Sequence, residues 1–255
     1  MIEIQKVSAG YEGKTVLQQI STSFEKGKIT VLVGPNGCGK STLLKTIVRI
    51  VPHSQGEIRV NECLLKQLST KELAKKVAYL PQNKKAPDIS VMKMVLHGRF
   101  PYLNYPRKYR AQDLEIAKQA LKWAGLEEQA DEMVSKLSGG MQQKVFIAMA
   151  LAQDADTILM DEPTTYLDIV HQMRLMEMAR QLAKEGKAVV MVLHDLTQAL
   201  SIADQVVVLK NGTLIDQGSA EEVYKNGSLE KAFEVKIEKI VTNKGETIWH
   251  YSHFS

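Results

Sequence analysis

Residues 34 to 41 read Gly-Pro-Asn-Gly-Cys-Gly-Lys-Ser, and this octet narrows the folds open to the chain more than any other feature. The run before it, Ile29-Thr30-Val31-Leu32-Val33, is short, apolar and β-branched, the pattern of a buried strand. The run after it, Thr42 to Val48, has the spacing of a helix with one apolar face. A strand that feeds a glycine loop and then a helix N-terminus forms an anion cradle. Gly37 and Gly39 let the backbone wrap a phosphate, the helix dipole adds partial positive charge, and Lys40 adds a full one. The Ser41 hydroxyl can hold Mg2+. The expected ligand is a nucleoside triphosphate. The loop alone does not say what the nucleotide is used for.

The rest of the chain has an α/β rhythm with one interruption. Met1 to Val7, Val16 to Phe24 and Gly56 to Asn61 alternate like strands, so the opening reads as an antiparallel patch around the first parallel strand. Val77 to Gln82 reads as a buried strand stopped at Pro81. Asn83 to Asp113 is rich in Pro, Lys, Arg and Tyr. Asp113 to Ala124 and Leu126 to Val134 then read as two helices separated by Gly125, so this middle section is a helical insertion. The α/β rhythm returns with a helix over Gln142 to Ala152 and a strand over Thr157 to Asp161. A helix over Asp168 to Glu185, a strand over Ala188 to Leu193 and a helix through Ala203 follow. An Asn211-Gly212 turn marks a hairpin between Val206 and Ile215. Glu221 opens a last helix, and Lys236 to Tyr251 adds one more strand pair.

Hydrolysis needs more than a phosphate cradle. The strand at Thr157 ends in Asp161-Glu162-Pro163, which places two carboxylates at the strand's C-terminal end, the ligand-binding edge of an open α/β sheet. Asp161 can reach the Mg2+ water shell, and Glu162 can align or deprotonate the attacking water. The strand at Ala188 leads to His194, which can contact the γ-phosphate or hold that water. Ser138-Gly139-Gly140 precedes a clear helix and makes a second anion cradle. One triphosphate does not need two cradles in one subunit, so the second is expected to serve the nucleotide of another copy.

Composition is compatible with this reading and excludes little else. The chain has 255 residues, 44% of them hydrophobic and 24% charged, enough for a substantial core, and its net charge of +4 is too mild to indicate nucleic acid. No charged-then-apolar leader opens it, and no apolar run approaches the roughly 18 residues that span a bilayer. Cys38 lies in the phosphate loop, so pairing it with Cys63 would compromise that loop; two free thiols fit a reducing compartment. At a helix N-terminus the Cys38 thiol is expected to be acidified and reactive. Lys84-Lys85 and Arg107-Lys108-Arg110 suit lipid headgroups, a membrane partner or plain solvent. The tail Trp249 to Phe254 offers two histidines, too few for a metal site. Met160, Met173, Met176 and Met178 read as core or interface filler.

Taken in order, these motifs resemble the nucleotide-binding subunit of an ABC transporter over roughly residues 2 to 240. The correspondence comprises Walker A at Gly34 to Ser41, a Q-loop at Gln82, Leu137-Ser138-Gly139-Gly140, Walker B at Thr157 to Asp161, Glu162, a D-loop at Thr165-Tyr166-Leu167-Asp168 and the switch His194. The resemblance implies an α/β P-loop NTPase with a RecA-like core, an N-terminal antiparallel β subdomain and a helical insertion. That is one ABC ATPase domain over 1–255: residues 1–82 and 153–255 form the catalytic core with the β subdomain. Residues from about 83 to 152 carry the Q-loop, helical subdomain and signature. It further implies that Tyr11 stacks on adenine, with nucleotide contacts from Val16, Gly34, Asn36, Gly37, Cys38, Gly39, Lys40, Ser41 and Thr42. Ser41, Gln82 and Asp161 would hold Mg2+; Lys40, Glu162 and His194 would be catalytic. Ser138, Gly139, Gly140, Gln142 and Asp168 would reach the ATP of the partner subunit in an ATP-dependent, head-to-tail homodimer.

Gly98-Arg99-Phe100-Pro101-Tyr102 and Glu162 to Gln172 are similar to ATPases of iron-siderophore, haem and cobalamin importers. This implies a separate membrane permease, an extracellular or periplasmic substrate-binding protein acting indirectly, and a place on the cytoplasmic face of the membrane, with no nucleic acid bound. Three positions depart from the common pattern: Met141 where many members carry Gln, Lys144 where Arg is common, and Thr165 where Ser is frequent. The rivals are an ABC ATPase for another solute, a soluble one acting on DNA or ribosomes, and a non-catalytic nucleotide-gated module. The chain has neither a second ATPase unit nor a long coiled-coil insertion, which argues against the soluble ATPase, and Glu162 with His194 argues against the inert module.

Overall fold

The computed structural model describes residues 1–82, 85–243 and 247–253. In chain order it forms β1 (Ile2–Tyr11), β2 (Lys14–Phe24), β3 (Ile29–Val33), α1 (Lys40–Ile47), β4 (His53–Val60), β5 (Cys63–Leu64), α2 (Thr70–Lys76) and β6 (Val77–Leu80). Next come α3 (Val91–Leu96), α4 (Ala111–Ala124), α5 (Gly139–Ala152), β7 (Thr157–Asp161), α6 (Ile169–Lys184), β8 (Ala188–Val192) and α7 (Leu196–Ile202). The chain closes with β9 (Gln205–Lys210), β10 (Thr213–Gly218), α8 (Ala220–Lys225), α9 (Ser228–Phe233), β11 (Val235–Val241) and β12 (Thr247–His253).

Two sheets carry the architecture. One is six-stranded in the order β10-β9-β3-β8-β7-β6, parallel except for β10; the other is the antiparallel β2-β1-β4-β5. Every residue of β3, β7 and β8 is buried. These strands are almost wholly apolar because both faces of the parallel sheet are covered. The period of two divides β3 between two cores: Val31 and Val33 pack with α5, α6 and α7, while Leu32 packs with α1 and the antiparallel sheet. The expected antiparallel patch is thus a sheet of its own laid over one face of the parallel sheet. Asn211 and Gly212 both have positive φ, 49° and 78°, as a two-residue hairpin turn requires. No helix among the described residues is long and apolar enough to cross a membrane.

The helical insertion differs in detail from the sequence reading. Leu126 to Val134 forms turns rather than a helix. Gly125, with φ 62°, ends α4, and the backbone beyond it pairs with the entry to α3: Val91 N–H donates to Glu132 O, Met92 N–H to Ala130 O and Val134 N–H to Ile89 O. Those bonds replace the ladder a helix would have made. Three short helices, α2, α3 and α9, have no counterpart in the sequence reading. A capping box at Ser69 and Glu72 starts α2, a signal legible in the sequence; Ser90 caps α3 inside the stretch that looked like loop.

Arg99 and Asp113 tie the insertion together. The Arg99 Nε lies 3.0 Å from Asp113 Oδ1 and its Nη1 donates to Ala152 O, with both side chains buried. Burial opposes ionisation of Asp113, yet the Arg110 N–H and the Arg99 guanidinium hold its carboxyl below the usual range. Breaking one half of such a pair strands the other charge. Arg99→Met should therefore cost about 3–5 kcal/mol in urea unfolding. The volume-conserving double change Arg99→Met with Asp113→Leu should recover most of that loss; equal stability of Arg99→Met and the parent would contradict the role of the pair.

Candidate functional site

Four neighbouring parallel strands, β3, β8, β7 and β6, end at one edge of the sheet. They are followed there by the Gly34–Ser41 loop, by His194, by Glu162 and by Gln82. The loop residues Asn36, Gly37 and Gly39 to Thr42 and these three side chains line a cleft of about 360 Å³. The strands that lead to the phosphate loop, to His194 and to Glu162 are hydrogen-bonded neighbours in the order β3-β8-β7.

The loop is stiffened from within and from behind. Lys40 Nζ donates to the carbonyls of Gly34 at 2.6 Å and Pro35 at 3.1 Å, which fixes the ammonium within the loop. Behind it, Gly212 N–H donates to Cys38 O, and Gln18 N–H donates to Gly212 O. A Cβ at Gly212 would lie 2.0 Å from Val16 O, so only glycine lets the β9–β10 turn sit this close. The sequence reading recognised Asn211-Gly212 as a turn but not as a brace for the phosphate loop. Val16 is half-buried next to Gly39, whereas Tyr11 is exposed at the β1–β2 turn.

The two carboxylates differ in setting. Asp161 is buried; its Oδ1 accepts from Ser41 Oγ at 2.8 Å and its Oδ2 from Tyr79 OH at 3.3 Å. Burial pushes its pKa up, against the pull of those two hydroxyls. Burial and the Asp161 carboxylate also push the Tyr79 hydroxyl up, which keeps it a donor. Tyr79 was not anticipated, although it is the one polar-tipped residue in Val77-Ala78-Tyr79-Leu80. Ser41 and Asp161 offer hard oxygen donors side by side at the mouth of the phosphate loop, a set that fits Mg2+ completed by phosphate oxygens.

Glu162 leaves β7 with φ 52°, a left-handed conformation unusual for a residue with a side chain. One of its oxygens lies 2.6 Å from His194 Nε2, and the other accepts from Gln82 Nε2. His194 is positioned in turn by α7. Asp195 caps that helix through the N–H groups of Thr197 and Gln198. Thr197 Oγ1 donates to Trp249 O at 2.8 Å, and the buried Trp249 ring meets Tyr224 edge-on at 5.0 Å. The C-terminal hairpin β11–β12 therefore holds the helix that begins just after His194. Thr197 gave no signal in the sequence, and Trp249 read only as part of a tail.

The second cradle lies apart from the first in the same chain. Ser138 caps α5 by accepting from Met141 N–H, and Gln142 Nε2 donates to Leu137 O. Gly139 is open, with no atom within 4 Å of a built Cβ. Gly139, Gln142 and Tyr166 line another cleft of about 460 Å³, and Gln82 borders both clefts. Asp168 caps α6, accepting from His171 N–H at 2.9 Å and facing His171 Nδ1 at 2.7 Å. Next to it Tyr166, Ile169, Val170 and Met173 are exposed, a contiguous apolar surface of the kind that marks a protein partner. Met160, Met176 and Met178 are buried, so only Met173 is placed for an interface. Arg107 stacks on Phe100 at 4.5 Å and Lys85 borders the second cleft. Lys84 and Phe254 lie outside the described residues.

Known proteins resemble this chain in sequence and fold. A family model described as ABC transporter matches residues 17–165. The iron(3+)-hydroxamate import ATP-binding protein FhuC of Bacillus subtilis is 41% identical over 244 residues, 95% of this chain and 90% of that protein. The ferric enterobactin transport ATP-binding protein FepC of Escherichia coli is 36% identical over 231 residues, 90% of this chain and 85% of that one. Among solved structures, an inward-facing ABC transporter described as metal-chelate type superposes with a TM-score of 0.84 at 27% identity, over 100% of this chain and 97% of its own. An ATP-binding cassette solved as a dimer in a post-hydrolysis state with ADP and Pi gives 0.76 at 28% identity, over 86% of this chain and 99% of its own.

The structure corrects the expectation for Cys38. Its side chain is buried, and burial pushes the thiol up despite Lys40 Nζ at 3.9 Å from Sγ. Desolvation outweighs the helix terminus and the ammonium, so the thiolate is scarce at neutral pH. Exposed Cys63 should therefore react first with Ellman's reagent at pH 7.5, and Cys38 at least ~10-fold more slowly. The slow phase should accelerate as pH rises above about 8.5 and vanish in Cys38→Ser. A fast phase lost with Cys38 would contradict the assignment.

Proposed function

The chain belongs to the ABC transporter family, and from that premise we propose that it is the ATP-hydrolysing subunit of an importer for iron chelates of the siderophore type. The observation that carries the hydrolytic reading is the convergence of Lys40, Ser41, Asp161, Glu162 and His194 on one cleft at one sheet edge. The names of relatives that import iron(3+)-hydroxamate and ferric enterobactin support the cargo.

In this reading Lys40 and the loop N–H groups bind the β- and γ-phosphates. Ser41, Asp161 and Gln82 would hold Mg2+, which neutralises phosphate charge when bound. Glu162 accepts a proton from the attacking water, and His194 keeps that carboxylate oriented and faces the γ-phosphate. Tyr11 and Val16 take the adenine, with Gly34, Asn36, Gly37, Gly39 and Thr42 completing the nucleotide contacts. The separation of Ser138, Gly139, Gly140, Gln142 and Asp168 from the phosphate loop supports a homodimer in which each copy closes over the other's ATP. The exposed apolar start of α6 supports the same arrangement. A membrane permease would be driven by that closure, with the subunit at the cytoplasmic face and a substrate-binding protein delivering cargo from the other side.

Glu162→Gln should still bind ATP, migrate as a dimer in size exclusion with ATP, and release phosphate at least ~100-fold more slowly than the parent. Parental turnover in that variant would remove Glu162 from the chemistry. For the cargo, the subunit reconstituted with the permease that co-purifies with it should hydrolyse ATP faster when binding protein loaded with an iron chelate is added; stimulation by other solutes alone would overturn the cargo. Thr197→Val should lower kcat roughly three- to tenfold, the worth of one hydrogen bond of ~1 kcal/mol, while KM for ATP stays unchanged. Thr197→Ser should restore kcat, and a loss of thermal stability with kcat intact would make the contact merely structural.

A further inference from the structure

A third cleft, of about 350 Å³, opens between the end of α4 and helices α5 and α6. None of the hydrolytic residues lines it. Its floor is apolar, with Ile147, Leu175 and Met178 all buried. Trp123 is 49% exposed on its wall. Lys144 and Arg174 also line it, and neither makes an ion pair within 4.0 Å of a carboxylate among the described residues. The acid among the lining residues is Glu177, which is exposed. Burial and the Arg174 charge push the Lys144 ammonium down, with Asp168 acting in the opposite sense.

Two cations that line one cleft over an apolar floor, with no carboxylate paired to either among the described residues, repel each other, and an anion between them relieves that repulsion. An exposed indole beside them offers a flat apolar face for stacking. The volume lies in the range of small-molecule sites. We propose that this cleft binds a small organic anion, in which a carboxylate, sulfonate or phosphate ester lies between Lys144 and Arg174 and a planar apolar body lies against Trp123. The ligand would bridge α5 and α6, the helices capped by Ser138 and Asp168. Its binding is therefore coupled to closure of the dimer, a consequence that rests on the proposed function, whereas the binding does not.

The test uses the full chain without nucleotide and two probes with the same rings: anionic 8-anilinonaphthalene-1-sulfonate and neutral N-phenyl-1-naphthylamine. The sulfonate should bind at a single site with emission sensitised by tryptophan. Trp123→Phe should remove most of that sensitisation, although Trp249 remains. Lys144→Met with Arg174→Met should weaken the sulfonate at least tenfold and the neutral probe less than twofold. Exposed Arg174→Met alone should weaken the sulfonate at least threefold and serves if the double variant does not fold. Equal binding of the sulfonate to the parent and to a folded variant overturns the site, as does sensitisation unchanged by Trp123→Phe. With Glu162→Gln and ATP, the sulfonate affinity should shift at least threefold; no shift there overturns the coupling and leaves the binding result to stand by itself.

Discussion

Glu162 sits at the end of a fully buried strand in a left-handed backbone conformation, with one carboxylate oxygen on His194 and the other on Gln82. A non-glycine residue held there costs on the order of 1–3 kcal/mol and persists only where its surroundings over-determine it. The surroundings do so here because three strands of one sheet supply the three side chains. β8 delivers His194, β7 delivers Glu162 and β6 delivers Gln82, and these strands are hydrogen-bonded neighbours. Shifting any of them by one residue would exchange the side chains that pack into the two cores on either face of the sheet, so core packing fixes the register and the register fixes the carboxylate. The cleft is thus a consequence of how the parallel sheet is buried.

The same fold separates two clefts. Its edge gathers one phosphate cradle with the groups suited to hydrolysis, while the cradle at Ser138 opens into another cleft. A helix N-terminus with an open glycine and the exposed Tyr166, Ile169, Val170 and Met173 nearby is a surface that gains from being covered. Gln82 borders both clefts, and its Nε2 donates to Glu162.

Short-range patterns made much of this legible. The β-branched run at Ile29, the glycine loop and the apolar strands ending in Asp161-Glu162 and His194 each state their structure locally, because burial on both faces leaves no other solution for them. What escaped the sequence was set by tertiary contacts. Leu126 to Val134 has helical spacing, but its N–H and C=O groups are drawn to the entry of α3. Cys38 stands where a thiol is ordinarily acidified, and only the packing around it reveals that desolvation wins. Tyr79, Thr197 and Trp249 act through partners 82, 52 and 52 residues away, separations that no motif encodes.

Those distant contacts bear on how rigid the site is. His194 follows a buried strand but is itself half exposed, so β8 alone does not fix its ring. The fixing comes from α7, one and a half to two turns long, too short to hold its own pose without packing. Its two restraints differ in kind. The Asp195 cap is local and forms whenever the helix does, whereas the Thr197 bond to Trp249 requires the C-terminal hairpin to be seated on Tyr224. The geometry of His194 against Glu162 therefore depends on a segment far along the chain from both strands. Loosening that segment is expected to disturb His194 first, since Glu162 is also held by Gln82 and the phosphate loop is braced separately by Gly212.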